Sequence, residues 1–407
     1  MLNKIWKFKA PALSTDSLNR GCKQPILAAA NVVEWWRLQF EEEVSGSMSS
    51  LLNRGRWRSR QFLAAALLLW PFALRGAQPA LRSPWDGQQI ALTDAAYTCP
   101  EPPPFSKSIN AEGYYSDAHH SIIDPKKFDA ERTATEAPTH LGEWSSQAAD
   151  AYRTHGSRAA AACVYALLEA AARAHAWDGG MPTSQGSYEQ KWLLASVSVA
   201  YLKVRSSGMG TPDQEKDIRK WLGTVASRAM DYVEQKESNP ESDAWNNHRY
   251  WAGFAVCAAG IAIGDRDDYE WGIGSYKAGA GQILPDGALP REMARAGRAL
   301  HYHLYALAPL VMIAEMAEAN GLDLYSYNNG AIHRLVRLCI AGLEDPSLFA
   351  RATGAAQEDA DVTSGIYIGW AVPYVRRFPN AQLSMWIAQA HETSFWQWGG
   401  LPPGGNS

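Results

Sequence analysis

Two short segments gather side chains that could handle a carboxylate. The first is Trp245-Asn246-Asn247-His248-Arg249-Tyr250-Trp251; the second is Arg295-Ala-Gly-Arg298-Ala-Leu-His301-Tyr302-His303-Leu-Tyr305. Between them they supply an amide, an imidazole, guanidinium groups and phenols. That set suits removal of a proton from the carbon beside an acid group. In a uronic-acid polymer the C5 proton lies alpha to a carboxylate and is weakly acidic while that group stays charged. Arg, His⁺ or an amide donor neutralises the charge and stabilises the enolate-like intermediate. A phenol or imidazole within hydrogen-bond reach then serves as base, and a proton donor must meet the departing C4 oxygen. Asn247, His248, Arg295 and Tyr302 cover these roles without a metal. A phenol with its ordinary pKa near 10 is a poor base at neutral pH. Arg295 and Arg298 are expected to lower it, because nearby positive charge favours the phenolate.

These residues need helices to hold them. Arg295, Arg298, Tyr302 and Tyr305 follow Pro290 at i, i+3, i+7 and i+10, which places them on one face of a single long helix running to about Glu318. Other helical patterns cover Gly156–Trp177, Tyr188–Val204, Asn247–Gly264, Asp268–Gln282, Asn329–Leu343 and Ile366–Phe378. Thr211-Pro212-Asp213-Gln214 starts a further helix to about Lys236, with a hydroxyl cap, Pro at N1 and Gln at N3. Alternating strand patterns are scarce. Helices with one apolar stripe joined by short loops pack as hairpins, giving an all-α toroid or an array of hairpins. No fixed-period repeat supports a solenoid.

The first 80 residues differ from the rest. Arg54, Arg56, Arg58 and Arg60 precede the apolar run Phe62–Leu74, which is too short for a membrane span of about 20 residues. The pattern is that of an export signal cleaved near 77–80, with Met1 or Met48 as the start. The expected division is 1–77 as upstream extension and signal peptide, and 78–407 as the catalytic domain. Within it, an arm at about 98–125 is expected to form a lid. The chain has 38 basic and 42 acidic residues; residues 1–77 hold 11 and 5 of these, leaving 27 and 37, a net −10. That balance argues against a nucleic-acid or membrane-surface partner, and an anionic substrate then needs a local basic cleft. Four cysteines remain, none at zinc spacing, and Cys99–Cys163 is the first candidate for a disulfide. With 17 Trp and 17 Tyr, some rings are expected to line a groove and stack on sugar rings. His119-His120 is read as incidental, and His301 and His303 as supporting residues.

Asn246-Asn247-His248-Arg-Tyr250-Trp251 and Gly287-Ala-Leu-Pro-Arg-Glu-Met-Ala-Arg295-Ala-Gly-Arg298-Ala-Leu-His-Tyr302-His-Leu-Tyr305 resemble the alginate lyases built as an α/α-toroid, an incomplete barrel of paired antiparallel helices. Gln190-Lys191-Trp192 with Ala200–Arg205 is similar to the same family's inner helix. The likeness runs over roughly 98–370. It implies a periplasmic or secreted poly-mannuronate lyase acting by β-elimination, without cofactor, as a monomer on alginate. Asn247, His248 and Arg295 would neutralise the C5 carboxylate, and Tyr302 would act as base and then acid. Trp192 would stack on a sugar ring; Tyr114, Tyr115, Lys191, Tyr250, Arg298 and Tyr305 would make further substrate contacts. The lid stretch Gly113–His120 keeps a Ser-Asp pair but not the family's basic residue.

Two rivals compete with this reading. A glycoside hydrolase on a similar toroid needs two carboxylates facing one bond, with Asp178, Glu292, Glu358 and Asp361 as candidates. A non-catalytic uronan-binding protein would keep the cleft alone.

Overall fold

Three helices are buried almost all round, and they form the inside of the described residues. The computed structural model describes residues 79–405. The signal-like segment and the alternative start lie outside the described residues. Helix α1 (Pro125–His155) leads, followed by α2 (Arg158–Arg173), α3 (Ser184–Val204), α4 (Pro212–Glu234), α5 (Asn247–Ile263) and α6 (Arg266–Gln282). Then come α7 (Pro290–Met293), α8 (Ala299–Glu318), α9 (Tyr327–Glu344), α10 (Ser347–Thr353), α11 (Gly365–Ile368), α12 (Ala371–Arg377) and α13 (Ala381–Gln389). Nearly every residue of α3, α5 and α8 is buried, whereas α2 and α4 bury a single stripe. A helix buried on all sides belongs in the centre and one with a stripe at the rim. The result is the paired-helix toroid, with no extended strand among the described residues.

Local chemistry fixes where these helices begin. Thr211 and Gln214 form the expected capping box of α4. Asn246 caps α5 by accepting the His248 N–H at 2.9 Å, which puts Asn247 and His248 in its first turn. In α8, Pro309 has no N–H to give to the Tyr305 carbonyl four residues back. Trp251 Nε1 takes that carbonyl at 3.1 Å instead, tying α5 to α8. Helices α5 and α6 approach closely because Gly253 and Gly272 face each other's helix; a Cβ on Gly253 would lie 2.4 Å from the Ser275 Cβ.

The long helix expected after Pro290 is broken. Residues 290–293 form α7, Ala296 takes a φ of 49°, Ala296–Arg298 form a 3-10 turn, and α8 starts at Ala299. Gly297 lies against the Ala356 carbonyl, where a Cβ would come within 2.9 Å. Arg295 and Arg298 therefore project from a turn and do not share a helical face with Tyr302. The helix expected at 366–378 is likewise two pieces, α11 and α12, and the first three residues after Tyr327 are left-handed. Helix α1, the longest, was not anticipated as an element.

Cys99 and Cys163 are joined by a disulfide with Cα atoms 5.4 Å apart, pinning the arm to α2. The last residues fold back as well. Leu401 N–H reaches the Asp150 carboxylate at 2.8 Å, and Lys203, buried on α3, bonds the same carboxylate and the Gly399 carbonyl, each at 2.5 Å. No described helix is long and apolar enough to cross a membrane.

Candidate active site

The start of α5, the turn before α8 and the arm meet at one place. From the arm, the Tyr115 hydroxyl lies 2.5 Å from that of Tyr302 on α8. Arg298 Nη1 donates to the same Tyr115 oxygen at 2.5 Å. The Arg295 guanidinium sits 3.7 Å from the centre of the Tyr302 ring. Its Nη2 donates to the His120 carbonyl at 3.4 Å, so the arm and the turn hold each other. Asp117 shapes the arm by accepting the N–H groups of His119, Ser121 and Ile122 at 3.0, 2.8 and 2.7 Å. His119 Nδ1 lies 3.1 Å from the Ala294 carbonyl, and the His120 ring meets Tyr115 edge-on. The two histidines thus fasten the arm over the site and are not incidental. Among the described residues no three His, Cys, Asp or Glu side chains gather as a metal site.

His248 is boxed in. Its ring stacks on Tyr188 at 3.6 Å, and Lys191 Nζ lies 3.1 Å from its Nδ1. Burial, then Lys191, Arg295, Lys236 and His120, push its pKa well below the ordinary value. That direction favours the neutral imidazole over the His⁺ expected among the charge-neutralising groups. A charged Lys191 has only donors to turn toward Nδ1, and that contact favours the tautomer with the ring proton on Nε2, where it can be offered to an anion. Tyr188 is itself held by Asp243, which also accepts from Tyr232 at 2.5 Å and pairs with Lys236 at 3.1 Å. Trp192 packs against His248 and Tyr305, each at 6.2 Å, and its Nε1 has no protein partner.

Several expected contacts change meaning. Tyr250 is 1% exposed and packs toward Gly279 on α6, so it belongs to the core and not to a groove. Lys191, 2% exposed, faces His248, and burial brings its pKa down to about 7. Arg298 is paired with Glu358 at 2.7 Å and spent on Tyr115, so it acts through that phenol. Tyr305 bonds Gln397 at 2.6 Å from the folded-back tail, and Tyr114 packs edge-on against Phe128. The expected lowering of Tyr302 is reversed. Burial, and then Tyr115, raise its phenol above the ordinary value; Arg295 and Arg298 pull it down and do not win. Around the same place His301 Nδ1 meets the Tyr367 hydroxyl at 2.8 Å, while His303 accepts the Leu289 N–H at 3.0 Å inside the core.

The hydrolase candidates do not face one another. Glu292 holds Asn247, Glu358 holds Arg298, Asp178 pairs with His175, and Asp361 caps Thr363. Glu131 and Glu189 do come together, bridged by Gln185 Nε2 at 3.0 Å to each. They face each other across α1 and α3, and no motif marks them in the sequence. Two open cavities, of about 500 and 600 Å³, are lined around Arg82–Gln88, Arg376 and the tail, and Tyr302 is in neither lining. The site itself is filled by Tyr114 and Tyr115 of the arm.

A family model described as alginate lyase matches residues 108–349. The chain is 39% identical over 294 residues to a polysaccharide lyase of Stenotrophomonas maltophilia, covering 72% of this chain and 85% of that one. It is 34% identical over 306 residues to an alginate lyase of Pseudomonas syringae pv. syringae, covering 74% and 81%. Among solved structures, alginate lyase A1-III from Sphingomonas species A1 superposes with a TM-score of 0.64 at 24% identity, covering 79% and 96%. Fold and matches together place the protein among the polysaccharide lyases. The chain belongs to the alginate lyase family.

Proposed function

We propose that the protein cleaves alginate, with poly-mannuronate as the preferred polymer, by β-elimination at this site. The C5 carboxylate is met by Arg295, by the Nε2–H of neutral His248 and by the Asn247 amide. Charge that develops on the carboxylate as the C5 proton leaves is then met by donors already in place. Tyr302 takes the proton and returns it to the C4 oxygen, so that bond breaks as the C4–C5 double bond forms. No water is added and no redox change occurs.

The observation that carries this reading is the line Arg295–Tyr302–Tyr115–Arg298. Two phenols 2.5 Å apart lie between two guanidiniums, one over the Tyr302 ring and one bonded to Tyr115. Loss of one phenol proton leaves a single negative charge shared along that line, which is how a buried tyrosine becomes usable as a base. Trp192 and Tyr305 border the sugar. Because Tyr115 covers Tyr302, the arm must lift for a polymer to enter. We place the catalytic domain at 78–407, with 1–77 as extension and export signal. A periplasmic or secreted location agrees with the basic-then-apolar run at 54–74 and with the disulfide.

The test is incubation of the purified protein with poly-mannuronate, poly-guluronate and glucuronan while following ultraviolet absorbance of the new double bond. Fastest growth on poly-mannuronate is expected. Reducing ends released without absorbance would mean hydrolysis, and no release on any of the three would mean a binding protein.

A further inference from the structure

Glu292 lies in the short α7 turn that delivers Arg295, and it is 1% exposed. Both of its oxygens are engaged by one residue. Oε1 accepts the Asn247 backbone N–H at 2.8 Å, while Oε1 and Oε2 lie 3.1 and 3.0 Å from Asn247 Nδ2. With the amide turned this way its donor is used up on Glu292. Its Oδ1 is left buried with no partner. A buried acceptor without a donor is the costly state of a polar group, and this one sits on the residue assigned to receive a carboxylate. Two acceptors would then face each other.

Exchanging the amide oxygen and nitrogen keeps the shape and turns a donor, in place of the orphaned acceptor, toward the carboxylate that Asn247 is assigned to receive, on one condition. Glu292 must carry a proton. Oε1 then still accepts the backbone N–H, Oε2–H donates to Asn247 Oδ1, and Nδ2 takes the position from which Oδ1 was orphaned. We propose that Glu292 is a positioning residue that works as a neutral acid, holding the Asn247 amide so that its N–H groups face the substrate carboxylate. The inference rests on the role given to Asn247 above.

The surroundings agree. Burial raises the Glu292 carboxyl above its ordinary range, against the pull of Arg295, the Asn247 N–H groups and Arg291. Arg291 is occupied by the Pro240 carbonyl and Glu241, and Arg295 lies over Tyr302. From α5 the facing groups are Asn247 and the neutral phenol of Tyr250.

Glutamine reproduces the neutral acid: its oxygen accepts the backbone N–H and its amide donates to Oδ1. Glu292→Gln is therefore expected to keep kcat on poly-mannuronate within roughly threefold of wild type, whereas Glu292→Ala loses about 10²-fold with a smaller change in KM. Asn247→Ala should lose as much, and the double variant no more than either alone. The infrared difference spectrum of wild type minus Glu292→Gln should show the carbonyl band of a protonated carboxyl. Carboxylate bands in that spectrum, or a Glu292→Gln enzyme as slow as Glu292→Ala, would overturn the proposal. If Glu292→Ala does not fold, the Gln variant and the spectrum still decide. Full activity in Asn247→Ala would instead remove the role given to Asn247, while the protonation state is read independently.

Discussion

The Lys191 Nζ stands 3.1 Å from Nδ1 of His248 and the residue is 2% exposed. It chooses which nitrogen of the ring is the donor. Replacing Lys191 with Met frees His248 to take either tautomer, and kcat should fall by about tenfold while the fold persists. A stability effect follows with a definite sign. Burial lowers Lys191 from its ordinary value to about 7. Between there and the unfolded value the unfolded chain binds the extra proton, so stability rises as pH climbs above about 7. Below that pH the penalty for the charged lysine is fully present. Thermal melts of wild type and Lys191→Met across pH should show that rise in the wild type and its loss in the variant.

Both phenols of the Tyr302–Tyr115 pair are raised by burial, and His248 is held neutral. The base form of the pair grows with pH, so kcat/KM should climb from neutrality to at least about pH 9, and a limb near pH 7 that belongs to Lys191 should vanish in Lys191→Met. A limb near the ordinary histidine value that persists in Lys191→Met and disappears in His248→Gln would show that the imidazole is the titrating base.

Glu358 reaches Arg298 from beyond the end of the family match. Glu358→Ala leaves a largely buried guanidinium short of its partner. Because Glu358 is about a quarter exposed, the expected loss of stability is about 1–2 kcal/mol, less than for a fully buried pair. Urea unfolding measures it. Since Arg298 also donates to Tyr115, kcat should drop more than KM rises.

The Cys99–Cys163 bridge spans a separation of 64 residues. Loop-closure entropy for that length corresponds to about 4 kcal/mol. Melting with and without reductant should show a matching fall, and reduced protein should cleave more slowly because the arm carrying Tyr115 is less tightly held. Equal melting curves would contradict this role.

Much of the frame was legible because the helices with the clearest signals are those with local chemistry. Thr211 and Gln214 mark α4, and the uninterrupted apolar run after Tyr250 marks α5. Helix α1 was not legible because its buried face carries Glu131, Thr135, Pro138, Gly142, Ser145 and Ser146, which make no apolar stripe. The break at 294–298 was missed because nothing beside Gly297 signals that Ala296 turns left-handed. Asn247, His248, Arg295 and Tyr302 were visible as residue types at a spacing. Glu292 beside Asn247, Tyr188 beside His248, Glu358 on Arg298 and Gln397 on Tyr305 come from other segments, and a charge or ring far along the chain does not announce what it will face. The sign of the Tyr302 shift failed for a related reason. Two arginines can be counted in a sequence, but the burial that outweighs them cannot.

The central claim is that the Tyr302 oxygen takes the C5 proton. Wild type and Tyr302→Phe, matched for melting temperature, should be compared on poly-mannuronate by ultraviolet absorbance of the unsaturated product. Steady growth is expected for the wild type and a loss of at least about 10³-fold for the variant, with polymer still bound. Growth at the wild-type rate in Tyr302→Phe would contradict it.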